Sequence, residues 1–334
     1  MAGSNPWAQR VRGWLGPAAG QSGRGSHPSR SARRAELDEV AALLCDARRP
    51  LVVAGSHVID HDAVPGLRAL AAEARVGVYN TWRATGVLPW DSDYHLGTIG
   101  LQENDLALCA LDTYDLILVT GIAPDESPAL PDDLPVTHCP VADLEILAVR
   151  CAGRDGPATT DAPLRDRLAA VGQTAWGAAS PPLAPTLLTR EYALLLGARG
   201  MIAADAGTAG FYVGRTFPTS RPRIVELPVA PAPGFAASAV AARRAAEPGL
   251  TAFALVDGRC PDAATSTVVA AAAERGIPVP VVCWSPDGPQ IGIEEHLHDV
   301  RAAVASGDPV VVSVGYDAAQ LAELERVAGD VTAW

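Results

Sequence analysis

Short apolar runs that stop on glycine or aspartate, each followed by a helical stretch, constrain this chain most. Leu51-Val-Val-Ala-Gly55 and Asp115-Leu-Ile-Leu-Val-Thr-Gly121 are the clearest. Runs this apolar, without alternation, predict strands buried on both faces of a parallel sheet covered by helices. Strands are expected at 51–55, 76–80, 115–121 and 136–140. A helix is expected from Glu36, where Leu37, Val40, Ala41 and Leu44 share one face, until Pro50 ends it. Further helices are expected at 63–75 and 103–112. A second run of the same grammar places helices at 187–199, 235–246, 262–275 and 294–305. Its strands fall at 201–205, 223–227, 251–257, 279–284 and 309–314. Between the runs, residues 152–185 are rich in Pro, Gly, Ala and Asp and read as a linker with a helical stretch near 163–171. The expected fold class is α/β, two doubly wound parallel-sheet domains at 36–151 and 186–334, which suits 334 residues.

Residues 1–35 differ, with six arginines and no acid, and read as a flexible basic tail. Trp7, Val11, Trp14 and Leu15 would share one face of a short helix there, a docking element or simply a frayed end. The net charge of −12 argues against nucleic acid as a partner. No apolar run approaches the ~20 residues of a membrane span. No apolar leader is visible at the start, so a cytoplasmic protein with six reduced cysteines is expected. All 26 basic residues are arginine, which removes Schiff-base and P-loop lysine chemistry. Zinc-ligand spacing, a Gly-x-Gly-x-x-Gly turn after a strand and a Gly-x-Ser-x-Gly elbow are all missing.

Ligands of parallel α/β sheets bind at the carboxyl ends of strands. Four loops stand there: Gly55-Ser56-His57, Gly121 to Glu126, Asp205-Ala206-Gly207-Thr208 and Asp257-Gly258-Arg259. An Asp ending an apolar strand can hold Mg²⁺ while the next helix N-terminus faces a phosphate. Asp257-Gly258 and Asp205-Ala-Gly207 have that form, although such pairs are commonly plain turns. Gly234, leading into a helix, permits close backbone approach to an anion. Other candidates have simpler readings. The two histidines of Glu294-Glu-His-Leu-His-Asp299 lie two apart, on different sides of a helix, and read as a solvated face. His57 and His95 read as loop packing, Asp125-Glu126 as a solvated loop rather than a ribose site, and Trp82, Trp90 and Trp176 as packing residues.

The order of motifs resembles the thiamine diphosphate-dependent enzymes of the acetolactate synthase and benzoylformate decarboxylase type. Arg49-Pro-Leu-Val-Val-Ala-Gly55 looks like the opening of their central Rossmann-like domain. Thr85-Gly-Val-Leu-Pro89, His95-Leu-Gly-Thr-Ile-Gly100 and Asp115 to Gly121 follow in the family's order. Ala204-Asp-Ala-Gly207, Gly234 to Ala242 and Val256-Asp-Gly258 resemble landmarks of the pyrophosphate-binding domain. The resemblance implies a cofactor, thiamine diphosphate with Mg²⁺, near Asp205, Gly207, Gly234, Phe235, Asp257 and Gly258. It makes Asp257 a metal ligand.

Departures matter equally. The pyrimidine-binding domain, with the family's activating glutamate, has no counterpart here. The family's Asn-Asn metal pair falls on Ser285-Pro286, leaving the adjacent Asp287 as a substitute oxygen ligand. Two functions are therefore expected. One is a truncated family member that binds the diphosphate end with Mg²⁺ and acts beside a subunit bearing the pyrimidine-binding domain, in 2-oxo acid decarboxylation or carboligation. The other is a non-catalytic scaffold or regulatory subunit of a complete enzyme. Either implies homo- or hetero-oligomers. A nucleotide held by the first domain is a third possibility.

Overall fold

The computed structural model describes residues 30–334 except 125, 127–129 and 132; the Trp7–Leu15 segment and Asp125 lie outside the described residues. Helix α1 (Arg30–Asp46) precedes strand β1 (Pro50–Ala54). A single turn, α2 (His57–Asp60), and α3 (Val64–Glu73) lead to β2 (Gly77–Thr81) and β3 (His95–Ile99). The short α4 (Asp105–Leu108), β4 (Leu116–Thr120), β5 (Val136–His138) and α5 (Leu144–Arg150) complete the first unit. All its strands are parallel, in the order β3-β2-β1-β4-β5. Strand β3 was not among the expected ones. Its sequence, His95-Leu-Gly-Thr-Ile, has only two large apolar residues and looks like a turn. It becomes a strand because His95 is buried, its Nε2 3.0 Å from Asn80 Oδ1 on β2.

Helix α6 (Pro163–Gln173) and α7 (Pro185–Leu196) lead to the second sheet. Its strands are β6 (Met201–Ala204), β7 (Val225–Glu226), β8 (Ala252–Asp257), β9 (Val281–Ser285) and β10 (Val311–Gly315). They alternate with α8 (Thr208–Thr216), α9 (Phe235–Ala246), α10 (Ala263–Ala273), α11 (Ile293–Ala305) and α12 (Ala319–Ala328). The order is β10-β9-β8-β6-β7, again all parallel. The doubly wound α/β expectation thus holds for both sheets. Helices α8 and α12 were not expected; Thr-Ala-Gly-Phe-Tyr-Val-Gly-Arg-Thr carries two glycines and reads as loop until it packs.

The stretch between the sheets is packed rather than free. Leu164 and Leu168 of α6 are buried in an apolar cluster that also contains Ile117 of β4 and Trp284 of β9. Arg154, buried, donates to the carbonyls of Leu44 and Ala47 at the end of α1 and of Ala74 after α3. A cation is favoured at helix C-termini, where unpaired carbonyls collect partial negative charge. The two halves are further joined by a bridge between Gln102 and Val331, and by Thr332 N–H donating to Leu101 O at 2.9 Å. Among the described residues no helix is long and apolar enough to cross a membrane.

Candidate functional site

In the second sheet the winding direction reverses between β6 and β8, the place where ligands of open α/β sheets bind. Asp205 follows β6 and Asp257 ends β8, so the topology brings both aspartates to one edge. Asp205 Oδ1 accepts from Ala236 N at 2.7 Å and Oδ2 from Gly234 N at 3.3 Å, capping the N-terminus of α9. Burial raises its carboxyl pKa, and those two N–H groups partly oppose the rise. Asp257 Oδ1 accepts from Ala209 N at 3.1 Å, in the first turn of α8. Burial pushes the Asp257 carboxyl up to about 6, with the nearby Asp205 charge adding to it. The residue is open to solvent on one side, which tempers that shift. Asp262 caps α10, Oδ1 accepting from Thr265 N at 2.9 Å. The three helix N-termini at this edge therefore each face one of the chain's own carboxylates.

Gly207 must be glycine here. Its φ is +116°, and a Cβ would lie 2.4 Å from Asp257 Oδ2. Gly258 has φ +112° and its N–H donates to Trp284 O at 2.7 Å, locking the loop against β9. Phe235 opens α9, half-buried, and turns toward the first domain rather than joining the aspartates. Asp287 is exposed beyond β9, 3.7 Å from the equally exposed Arg259. Among the described residues, no three His, Cys, Asp or Glu side chains gather to hold a metal.

These residues do not fit a complete magnesium diphosphate site. Mg²⁺ requires near-octahedral oxygen ligation and is usually held by one or two carboxylates plus substrate phosphates. Here Asp257 Oδ2 is the carboxylate oxygen left over once Oδ1 has capped α8. The dipole ends that would face the diphosphate already carry carboxylates.

The first sheet reverses between β1 and β4, and its crevice is also filled from within. Glu126 is buried there. Its Oε1 accepts from Ser56 N at 2.6 Å and Ala123 N at 2.8 Å, and Oε2 accepts from Thr81 Oγ1 at 3.0 Å. Gly55 admits it, since a Cβ would lie 2.5 Å from Oε1. Glu126 is thus a structural plug and not a solvated loop residue. Sequence reading missed this because the three donors come from three different strand ends. Glu126→Ala is expected to lower stability by about 1–3 kcal/mol, through buried donors left unpaired; urea unfolding measures it.

The Glu294–Asp299 segment divides differently from expectation. His298 is exposed, whereas His296 is fully buried, its Nε2 2.6 Å from Tyr192 Oη, which also accepts from Trp284 Nε1 at 3.0 Å. The helical face that looked solvated carries a core histidine, because α11 packs on α7 and β10.

Residues 37–141 match the family model described as thiamine pyrophosphate enzyme, central domain. The chain is 30% identical over 102 residues to the acetolactate synthase of Mycobacterium leprae, covering 30% of this chain and 16% of that protein. It is 28% identical over 92 residues to the acetolactate synthase isozyme 2 large subunit of Escherichia coli K12, covering 28% and 17%. It is 35% identical over 72 residues to the glyoxylate carboligase of Escherichia coli O157:H7, covering 22% and 12%. The chain therefore matches less than a fifth of the length of each of these relatives.

Proposed function

Starting from a chain that is a thiamine diphosphate enzyme family member through the central domain at residues 37–141, we propose that it is a non-catalytic subunit, a scaffold or regulator of a complete thiamine diphosphate enzyme. The observation that supports this reading is the self-capped edge of the second sheet. Asp257, Asp205 and Asp262 occupy the α8, α9 and α10 N-termini, and among the described residues no three His, Cys, Asp or Glu side chains gather around Asp257. Association with itself or with a subunit bearing the pyrimidine-binding domain is part of the proposal.

One feature favours a second reading. Asp257 Oδ2 lies over Gly207, where a Cβ would meet it at 2.4 Å, and only a residue without a side chain leaves that oxygen open to a bridging ion. On this reading the chain itself holds the diphosphate end of thiamine diphosphate with Mg²⁺ at Asp257, and acts beside a subunit bearing the pyrimidine-binding domain. The reaction would be decarboxylation or carboligation of a 2-oxo acid, as the resemblance implies; one relative is named a glyoxylate carboligase.

Calorimetric titration of thiamine diphosphate into the full chain, with and without Mg²⁺, separates the two. No saturable binding by the chain alone, with or without Mg²⁺, is the expected result. Mg²⁺-dependent binding that vanishes in Asp257→Ala would overturn the scaffold reading and establish the second.

A further inference from the structure

A crevice of about 410 Å³ opens between the two domains, away from both aspartates of the second-sheet edge. It is bounded by residues after β1 and β2 on one side, and by β7 and the start of α9 on the other. Its volume falls in the range of small-molecule sites, ~300–1,000 Å³. Its lining is mixed in a particular way. Trp82, Val225, Leu227 and Phe235 supply an apolar wall. Arg83, Arg223 and Arg243 face Asp60 and Glu226.

The arginines carry the inference. Neither Arg223 nor Arg243 makes a hydrogen bond or ion pair among the described residues, and Arg243 Nε is buried without a partner. Arg83, which lines the same space, is already engaged. Arg223 is held at φ +60°, a left-handed backbone that costs a non-glycine residue energy and that persists where the surroundings over-determine it. Arg223 lines this crevice. Ser56, 4% exposed, lines the same space, and its hydroxyl has no hydrogen-bond partner. Arg221, two residues before Arg223, is by contrast fully used, donating to the carbonyls of Ala198, Arg199 and Gly200.

We propose that this interdomain crevice binds a small organic monoanion, a carboxylate with an apolar body, with Arg223 and Arg243 holding the carboxylate and Trp82 and Phe235 covering the body. Arg223 and Arg243 are the guanidinium groups of the lining that make no hydrogen bond or ion pair among the described residues, and a carboxylate supplies the acceptors for both. Guanidinium and carboxylate match as paired donors and acceptors. A nucleotide is disfavoured by the neighbouring Glu126 plug, which already takes the Ser56 N–H that a phosphate would use. Of the residues expected near thiamine diphosphate the crevice takes only Phe235, and it uses neither Asp205 nor Asp257.

The test titrates 1-naphthylacetate, its neutral amide, inorganic phosphate and AMP into the full chain by calorimetry. The same titrations use Arg223→Gln, Arg243→Gln and the distant, exposed Arg275→Gln. Expected are saturable binding of the carboxylate, at least tenfold weaker binding of the amide and of phosphate, and at least a tenfold loss in each crevice variant but not in Arg275→Gln. Equal binding of acid and amide, binding of AMP in preference, no binding, or an affinity indifferent to both crevice arginines would overturn the proposal. Thermal unfolding of the variants reports whether a loss reflects the site or the fold. A melting temperature unchanged from the parent is expected, since Arg223 is exposed and Arg243 half-buried.

Discussion

Arg215→Met is expected to lower the unfolding free energy by about 3–5 kcal/mol, the usual cost of breaking a buried ion pair from one side. Arg215 lies on α8 and Asp105 at the start of α4, each side chain 2% exposed. Arg215 Nη2 donates to Asp105 Oδ1 at 2.7 Å and Oδ2 at 2.8 Å, and Nη1 donates to Thr98 O at 2.7 Å. Asp105 Oδ2 also accepts from Leu101 N and Gln102 N, which holds the loop after β3. The pair thus joins the first domain to the second while fixing the segment that runs along their boundary. Removing the arginine leaves a buried carboxylate without a counter-ion. The double variant Arg215→Met/Asp105→Leu should regain part of the loss, because the stranded charge goes with it. Urea unfolding of both single variants and the double completes the cycle. A single-variant loss below about 1 kcal/mol would show that water reaches the pair.

Acidification from pH 6.5 toward 5 is expected to destabilise the protein through two buried histidines. His95 and His296 are 2% and 0% exposed, and burial holds the pKa of each near 4. An unfolded histidine titrates near 6.5. Between those values the unfolded chain binds protons that the folded chain refuses, so stability is fully present above pH 6.5 and is lost as the pH falls. Each histidine contributes up to about 1.4 kcal/mol per pH unit in that window. Asp257 has the opposite sign, since its raised pKa favours the folded state at lower pH, but its exposure limits the effect. His296→Gln should remove about half of the slope when urea unfolding is compared at pH 6.5, 6 and 5. A slope unchanged in that variant would place the sensitivity elsewhere.

Much of this architecture was legible because parallel strands advertise themselves. Pro-Leu-Val-Val-Ala and Leu-Ile-Leu-Val-Thr are continuously apolar since helices cover both of their faces, and each is buried throughout. Strand β3 and helix α8 were not legible. Their glycines hide the periodicity, and their burial comes from partners distant in sequence, Asn80 for His95 and Asp105 for Arg215. The aspartates of the candidate site were legible by position, since strand ends are where such sheets bind ligands. Their hydrogen-bond partners were not. Asp257 caps a helix that begins 49 residues before it, and Asp287 faces Arg259.

Two parallel sheets, and the edges at which Asp205 and Asp257 stand, are legible in the sequence. Those follow from local pattern: unbroken apolar runs, helical spacing, and strand ends marked by aspartate and glycine. Only the tertiary structure decided that these carboxylates serve as helix caps, that Glu126 closes the first crevice, and that Arg223 and Arg243 converge with Trp82 between the domains. Such facts depend on which side chain reaches an unpaired N–H or charge across the fold. That choice is made by packing among residues far apart in the chain, and no spacing along the sequence encodes it.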